Sequence, residues 1–176
     1  MPMPPATRNS TITICSSADR TVTISGYSAN ARCTSRTNND RLNEAEPRTA
    51  MGPLHANQDA LRYELHRVWV VEGTLAPGKQ HVAPRRRLYI DEDTWLVEYS
   101  EAWDENGKLW KFGHATMTLR PEIPAVIIGA QYIYDLLQGG YCYDFTFGGA
   151  GGYYRVTGMH RPEMFDADAL AAEALR

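Results

Sequence analysis

The chain has 176 residues, 43% of them hydrophobic and 22% charged, which is room for one domain of ordinary size. A net charge of -3 and a pI near 5.9 argue against nucleic-acid binding through a basic face. No apolar run reaches the length of a membrane-spanning helix, and Cys15, Cys33 and Cys142 form neither an even disulfide set nor a zinc-ligand spacing.

Residues 1–37 are rich in Ser, Thr, Asn, Arg and Pro, with Ile12, Ile14, Val22, Ile24 and Tyr27 as almost their whole stock of large apolar side chains. The start, Met-Pro-Met-Pro-Pro, shows no basic cluster or apolar stretch of a secretory signal. Residues 38–61 continue as a polar linker containing Pro47, Gly52 and Pro53. Such a composition buries too little apolar surface to offset the entropy of ordering, so disorder is expected up to residue 61.

From Arg62 the pattern changes to strand and turn. Arg62 to Leu75 is dense in β-branched and aromatic residues and ends at Ala76-Pro77-Gly78-Lys79, a turn in which proline presets φ and glycine accepts positive φ. A second strand is predicted over Arg85 to Ile90, running into Asp91-Glu92-Asp93-Thr94. A third, Trp95 to Trp103, places Trp95, Val97, Tyr99 and Trp103 on one face and Glu98 and Ser100 on the other. Asn106-Gly107 signals a hairpin, after which a fourth strand spans Leu109 to Leu119. Gln131 to Leu137 and Tyr141 to Phe147 form a last hairpin across Gln138-Gly139-Gly140. Short connections force neighbouring strands antiparallel, giving a meander of about six strands. Residues 166–176, with an acidic start and an Ala/Leu/Glu body, are expected to form a short C-terminal helix.

Several strands carry apolar residues on both faces: Leu88 and Ile90 beside Tyr89, Leu96 beside Trp95. A sheet with one wet face would alternate cleanly. The second face is therefore expected to be covered by missing chain, a partner or an apolar ligand. Trp95, Tyr99, Trp103, Trp110, Phe112, Tyr141 and Tyr143, with Phe145 and Phe147, are the candidate apolar wall, ordinary β core being the competing reading. Glu64, His66, Arg67, Arg85 and Arg87 are candidates for a polar network organising the sheet. Asp91-Glu92-Asp93 reads as a solvated turn, lacking the glycine and later glutamate of a calcium loop. Gly148-Gly149-Ala150-Gly151-Gly152 reads as a flexible connection, since no Lys-Ser/Thr follows it. No catalytic residue, metal site or cofactor is assigned, because neither a nucleophile–base pair nor a ligand triad is legible.

The stretch from Leu61 to Trp95, LRYELHRVWVVEGTLAPGKQHVAPRRRLYIDEDTW, resembles a large proteobacterial domain-of-unknown-function family described as outer-membrane lipoprotein-sorting-like. The resemblance rests on Arg62 to Glu72, Pro77-Gly78, Arg85 to Arg87 and Asp91 to Trp95. It continues through Asp104 to Trp110, Pro121 to Pro124 and Ile133 to Asp144. It covers about two thirds of the chain and only the C-terminal part of a family member, over residues 62–176. It implies a mainly β fold, an antiparallel meander forming part of an incomplete barrel of the LolA/LolB type. It also implies a non-catalytic periplasmic or outer-membrane role in binding a hydrophobic ligand, a lipid or acyl chain. An envelope scaffold docking on a transporter without its own ligand is the alternative. Members carry a segment similar to Gly-Lys-Arg-Glu-Met-Tyr-Val-Pro-Tyr-Asn that residues 24–37 would encode in a shifted frame, returning to frame at Asn38. The resemblance thus implies that residues 1–37 are frameshifted coding sequence, and that a truncated gene start accounts for the missing secretory signal. A genuine disordered tail is the alternative, and resequencing decides between them.

Overall fold

The computed structural model describes residues 22–35, 37–43, 45–145, 158–159 and 161–166, with backbone only for 22–30, 145, 164 and 165. Seven strands form one sheet in sequence order: β1 (Val22–Ser35), β2 (Glu64–Leu75), β3 (Arg85–Asp91), β4 (Val97–Trp103), β5 (Leu109–Arg120), β6 (Ala125–Asp135) and β7 (Gly140–Phe145). Every neighbouring pair is antiparallel, as short connections require. The β4–β5 turn illustrates why. The Asp104 carboxylate accepts backbone N–H groups of Asn106 and Lys108, and Gly107 takes φ 75°, where a Cβ would be strained.

Three bulges between β3 and β6 decide which of their side chains share a face. Tyr89 lies opposite Tyr99 but Ile90 opposite Val97, leaving Glu98 extra. Ala102 lies opposite Lys111 but Trp103 opposite Leu109, leaving Trp110 extra. Thr116 lies opposite Ala130 but Met117 opposite Ile128, leaving Gly129 extra. An inserted residue shifts the two-residue alternation of everything beyond it and bends the strand.

The sheet is open and curled. The Tyr99 hydroxyl donates to the Thr34 carbonyl and the Ser35 hydroxyl to Glu98, although β2 and β3 separate β1 from β4 in the ladder. The end of β1 therefore folds back over the face carrying Tyr99, and the sheet forms part of an incomplete barrel.

Two expectations are corrected here. Val22–Ser35, expected to be disordered, is a strand paired along the length of β2. Its backbone ladder and its two anchors on β4 supply what its polar side chains do not. Residues 38–61, expected to be a linker, carry two single-turn helices, α1 (Asp40–Asn43) and α2 (Pro47–Ala50), and a 3-10 turn at Gln58–Ala60. Leu42, Ala50 and Ala56 are fully buried against Ala130 and Tyr132. Burying Leu42 alone contributes about 1.5–3 kcal/mol. At the C-terminal end Pro162–Phe165 forms a 3-10 turn, and the helix expected over 166–176 lies outside the described residues beyond Asp166, as does the glycine-rich connection.

Candidate functional site

One face of the sheet is a closed aromatic ladder. Tyr99 stacks on Phe112 at 5.8 Å between centroids, His114 on Tyr132 at 4.7 Å, Tyr132 meets Tyr143 at 4.7 Å and Tyr134 stacks on Tyr141 at 5.4 Å. Residues 39–43 and 45–61 cap it and accept two of its hydroxyls: Tyr141 donates to the Gly52 carbonyl at 2.6 Å and Tyr132 to the Ala50 carbonyl at 3.4 Å. Burial disfavours the phenolates, raising the Tyr132 hydroxyl and pushing Tyr143 up to about 12. Tyr99, Phe112, Tyr141 and Tyr143 thus share one face as packed core.

The other members of the expected wall stand outside this ladder, although Trp103 keeps the Tyr99 face, opposite Arg85. Trp103 is covered by Arg85 and Arg87, whose guanidinium carbons stand 4.3 and 5.2 Å from its ring centroid. Trp95 sits in the β3–β4 turn at φ 60°, 57% exposed and stacked on Trp69, so it precedes the strand it was expected to open. Trp110 is the extra residue of its bulge and is turned to the opposite face. There its indole N–H donates to Asp135 at 3.0 Å, beneath Lys111.

That opposite face holds a trough. Its floor is made of small residues on adjacent strands, Ser100 and Ala102 on β4 and Gly113 and Ala115 on β5. Leu88, Val82 and Ile133 form its walls; Val82 is 68% and Ile133 45% exposed. A cavity of about 340 Å³ on the Leu88 side adjoins one of about 140 Å³ on the Ile128 side, and the two share Ser100, Gly113 and Ile133. Arg86 and Lys111 stand at the rim. Residues 81–83 overhang it, held by Arg86 on the His81 ring at 2.9 Å and by the Ala83 N–H on His81 Nδ1 at 2.9 Å. Sequence reading missed this feature, although small residues at two-residue spacing on consecutive strands were its visible signal.

The polar candidates divide into three groups. Glu72 on β2 takes both Arg85 and Arg87 of β3, and Arg87 reaches on to Glu101 at 3.3 Å, which also accepts from Tyr89. The hydrogen bond from Arg85 is the main reason the Glu72 carboxyl lies below its ordinary range. Arg67 points away from the other four and pairs with Glu92 at 3.0 Å. Glu64 and His66 belong to a third group, in which His66 Nδ1 lies 2.8 Å from Asp91 Oδ1 and Nε2 lies 3.6 Å from Glu64. Asp91 is 1% exposed, so the acidic turn expected to be solvated begins with a buried carboxylate. The bulge also swings Glu98, 2% exposed, onto the Tyr99 side, where sequence alternation had it opposed. Burial pulls the His66 pKa down, and the Asp91 hydrogen bond and surrounding negative charge outweigh this, for a net rise. Burial raises Glu98; at Asp91 the same effect is outweighed by the bonds from His66 and Thr94, and its pKa falls.

The profile of the family described as "Protein of unknown function (DUF1329)" matches residues 27–175. The chain belongs to the DUF1329 family. A curated relative, an uncharacterized protein of Pseudomonas aeruginosa, is 44% identical over 89 residues, which is 49% of this chain and 19% of the relative. The chain thus spans about a fifth of that relative's length. Among solved structures it is similar to a DUF1329 family protein from Desulfovibrio piger, at 16% identity and a TM-score of 0.41 over 60% of this chain and 41% of that one. It is also similar to a putative outer membrane lipoprotein-sorting protein domain from Vibrio parahaemolyticus, at 16% identity and a TM-score of 0.36 over 70% and 58%. Among the described residues of this DUF1329 chain, no helix is long and apolar enough to cross a membrane.

Proposed function

We propose that the protein is a non-catalytic cell-envelope binding protein whose sheet holds a hydrophobic ligand, an anionic amphiphile such as a fatty acid or phospholipid. The observation that carries this reading is the trough floored by Ser100, Ala102 and Gly113 and walled by Leu88, Val82 and Ile133. Its larger cavity, about 340 Å³, falls in the range of small-molecule sites, about 300–1,000 Å³. The aromatic wall expected from sequence is mostly consumed as core on the other face, so the ligand site moves to the trough. Apolar burial needs no motif: each methylene removed from water contributes about 0.8 kcal/mol. Arg86 and Lys111 at the rim suit an acidic head group.

Titration with a fluorescent fatty-acid analogue tests the reading. Saturable one-to-one binding is expected, weakened at least about tenfold by Ala102→Phe, which fills the floor. Tyr141→Phe on the aromatic face should leave it unchanged. Absence of saturable binding, or binding indifferent to Ala102→Phe, overturns the trough as the site. Absence of any lipid on the protein would favour a scaffold that docks on an envelope transporter instead.

A further inference from the structure

We infer that His66, Asp91 and Glu98 form a binding site for a first-row divalent cation, with zinc the best match to one imidazole and two carboxylates. One donor atom from each residue lies within 4.8 Å of the others, and the three come from three different strand segments: β2, the end of β3 and the bulge in β4. In a tetrahedral zinc site the ligand atoms stand about 2.0–2.1 Å from the metal and so about 3.4 Å from one another. The His66–Asp91 pair, hydrogen-bonded at 2.8 Å, opens slightly when the metal replaces its shared proton, and any wider donor separation, at most 4.8 Å, closes by side-chain rotation.

Each of the three has its own orienting partner, the outer shell that metal ligands require. Asp91 Oδ2 accepts both the N–H and the hydroxyl of Thr94 at 2.8 Å. His66 Nε2 faces Glu64 at 3.6 Å. Glu98 Oε1 accepts the Ser35 hydroxyl. What points to an occupant is the other Glu98 oxygen, Oε2. It is buried and has no hydrogen-bond partner among the described residues, in a side chain only 2% exposed. An unpaired buried carboxylate oxygen is costly, and a cation between Glu98, Asp91 and His66 removes that cost. It would also cross-link β2, β3 and β4 with β1 through Ser35, where the sheet curls back on itself. This assignment departs from the sequence reading, which gave no metal because no ligand triad was legible; the bulge in β4 brings Glu98 to the face of His66 and Asp91.

Isothermal titration of the metal-free chain with ZnCl2 tests the site. One zinc per chain is expected, with affinity lowered at least about 100-fold in His66→Gln and in Glu98→Gln and about tenfold in Ser35→Ala. Cys33→Ser, opposite His66 in the β1–β2 register, should bind as the parent does. Circular dichroism of each variant separates lost binding from lost fold. The Co²⁺ spectrum of the unsubstituted chain gives a variant-free readout, expected to show nitrogen and oxygen ligation without thiolate charge-transfer bands. No stoichiometric binding, binding indifferent to both His66→Gln and Glu98→Gln, or thiolate bands in the Co²⁺ spectrum would each overturn the site.

Discussion

Gly129→Ala is a small change that should act far beyond its size. Gly129 is the extra residue of the β5–β6 bulge, and the carboxamide of Asn43 lies directly over it. A Cβ built there would overlap the amide nitrogen and carbon and stand 2.6 Å from Oδ1. Asn43 cannot give way cheaply. It accepts from Thr116 at 2.9 Å and donates to Thr118, and all three side chains are buried. Expelling it removes two hydrogen bonds worth about 1 kcal/mol each and strands the Thr118 hydroxyl at about 1–3 kcal/mol. Neighbouring Leu42 also loses part of the roughly 1.5–3 kcal/mol its burial contributes. The reduced entropy of the unfolded chain returns only about 0.4–1 kcal/mol. The expected net loss is about 3–5 kcal/mol, read by equilibrium urea denaturation. In an Asn43→Ala background the same substitution should cost less than about 1 kcal/mol, because its clash partner is gone. Equal costs in the two backgrounds, or a loss below about 1 kcal/mol in the parent, would refute the packing of α1 on the bulge.

Glu72 makes a pH-dependent prediction. Its carboxyl is held below its ordinary 4.5 in the folded chain, first by Arg85, so its stabilising effect is complete above about pH 4.5 and fades as pH falls through the lower folded pKa. The urea midpoints of the parent and Glu72→Gln should therefore differ at pH 6 and converge towards pH 3; a constant difference would contradict this. Trp95→Gly should change stability by no more than about 1 kcal/mol in the same assay. Relief of the left-handed backbone, about 1–2 kcal/mol, offsets the loss of stacking on Trp69, about 0.5–1.5 kcal/mol. Trp95→Val, which loses the stack and keeps the strain, should cost at least about 1 kcal/mol, and equal effects of the two would count against strain at this turn.

The strands from Glu64 onward were legible, β6 only from Gln131 although it begins at Ala125, because β-branched and aromatic runs bounded by Pro-Gly and Asn-Gly turns carry their own signal. The incomplete barrel was expected from the resemblance, and the curl of β1 over Glu98 and Tyr99 gives it physical form. What escaped was set by non-local bonding. β1 is held by ladder bonds to a strand some forty residues away, which its Ser/Thr/Asn composition cannot announce. α1 and α2 are one turn each, too short to show a helical period. The bulges at Glu98, Trp110 and Gly129 invert local alternation. This is why Trp110 left the aromatic ladder, Glu98 joined His66 and Asp91, and the trough emerged on a face that had seemed merely too apolar.

Native mass spectrometry of the chain after incubation with a mixture of bacterial phospholipids and fatty acids is the most direct measure of the central claim. The trough account predicts one bound lipid per chain, absent from Ala102→Phe. A ligand-free parent chain under saturating lipid, or equal occupancy in the parent and Ala102→Phe, would contradict it.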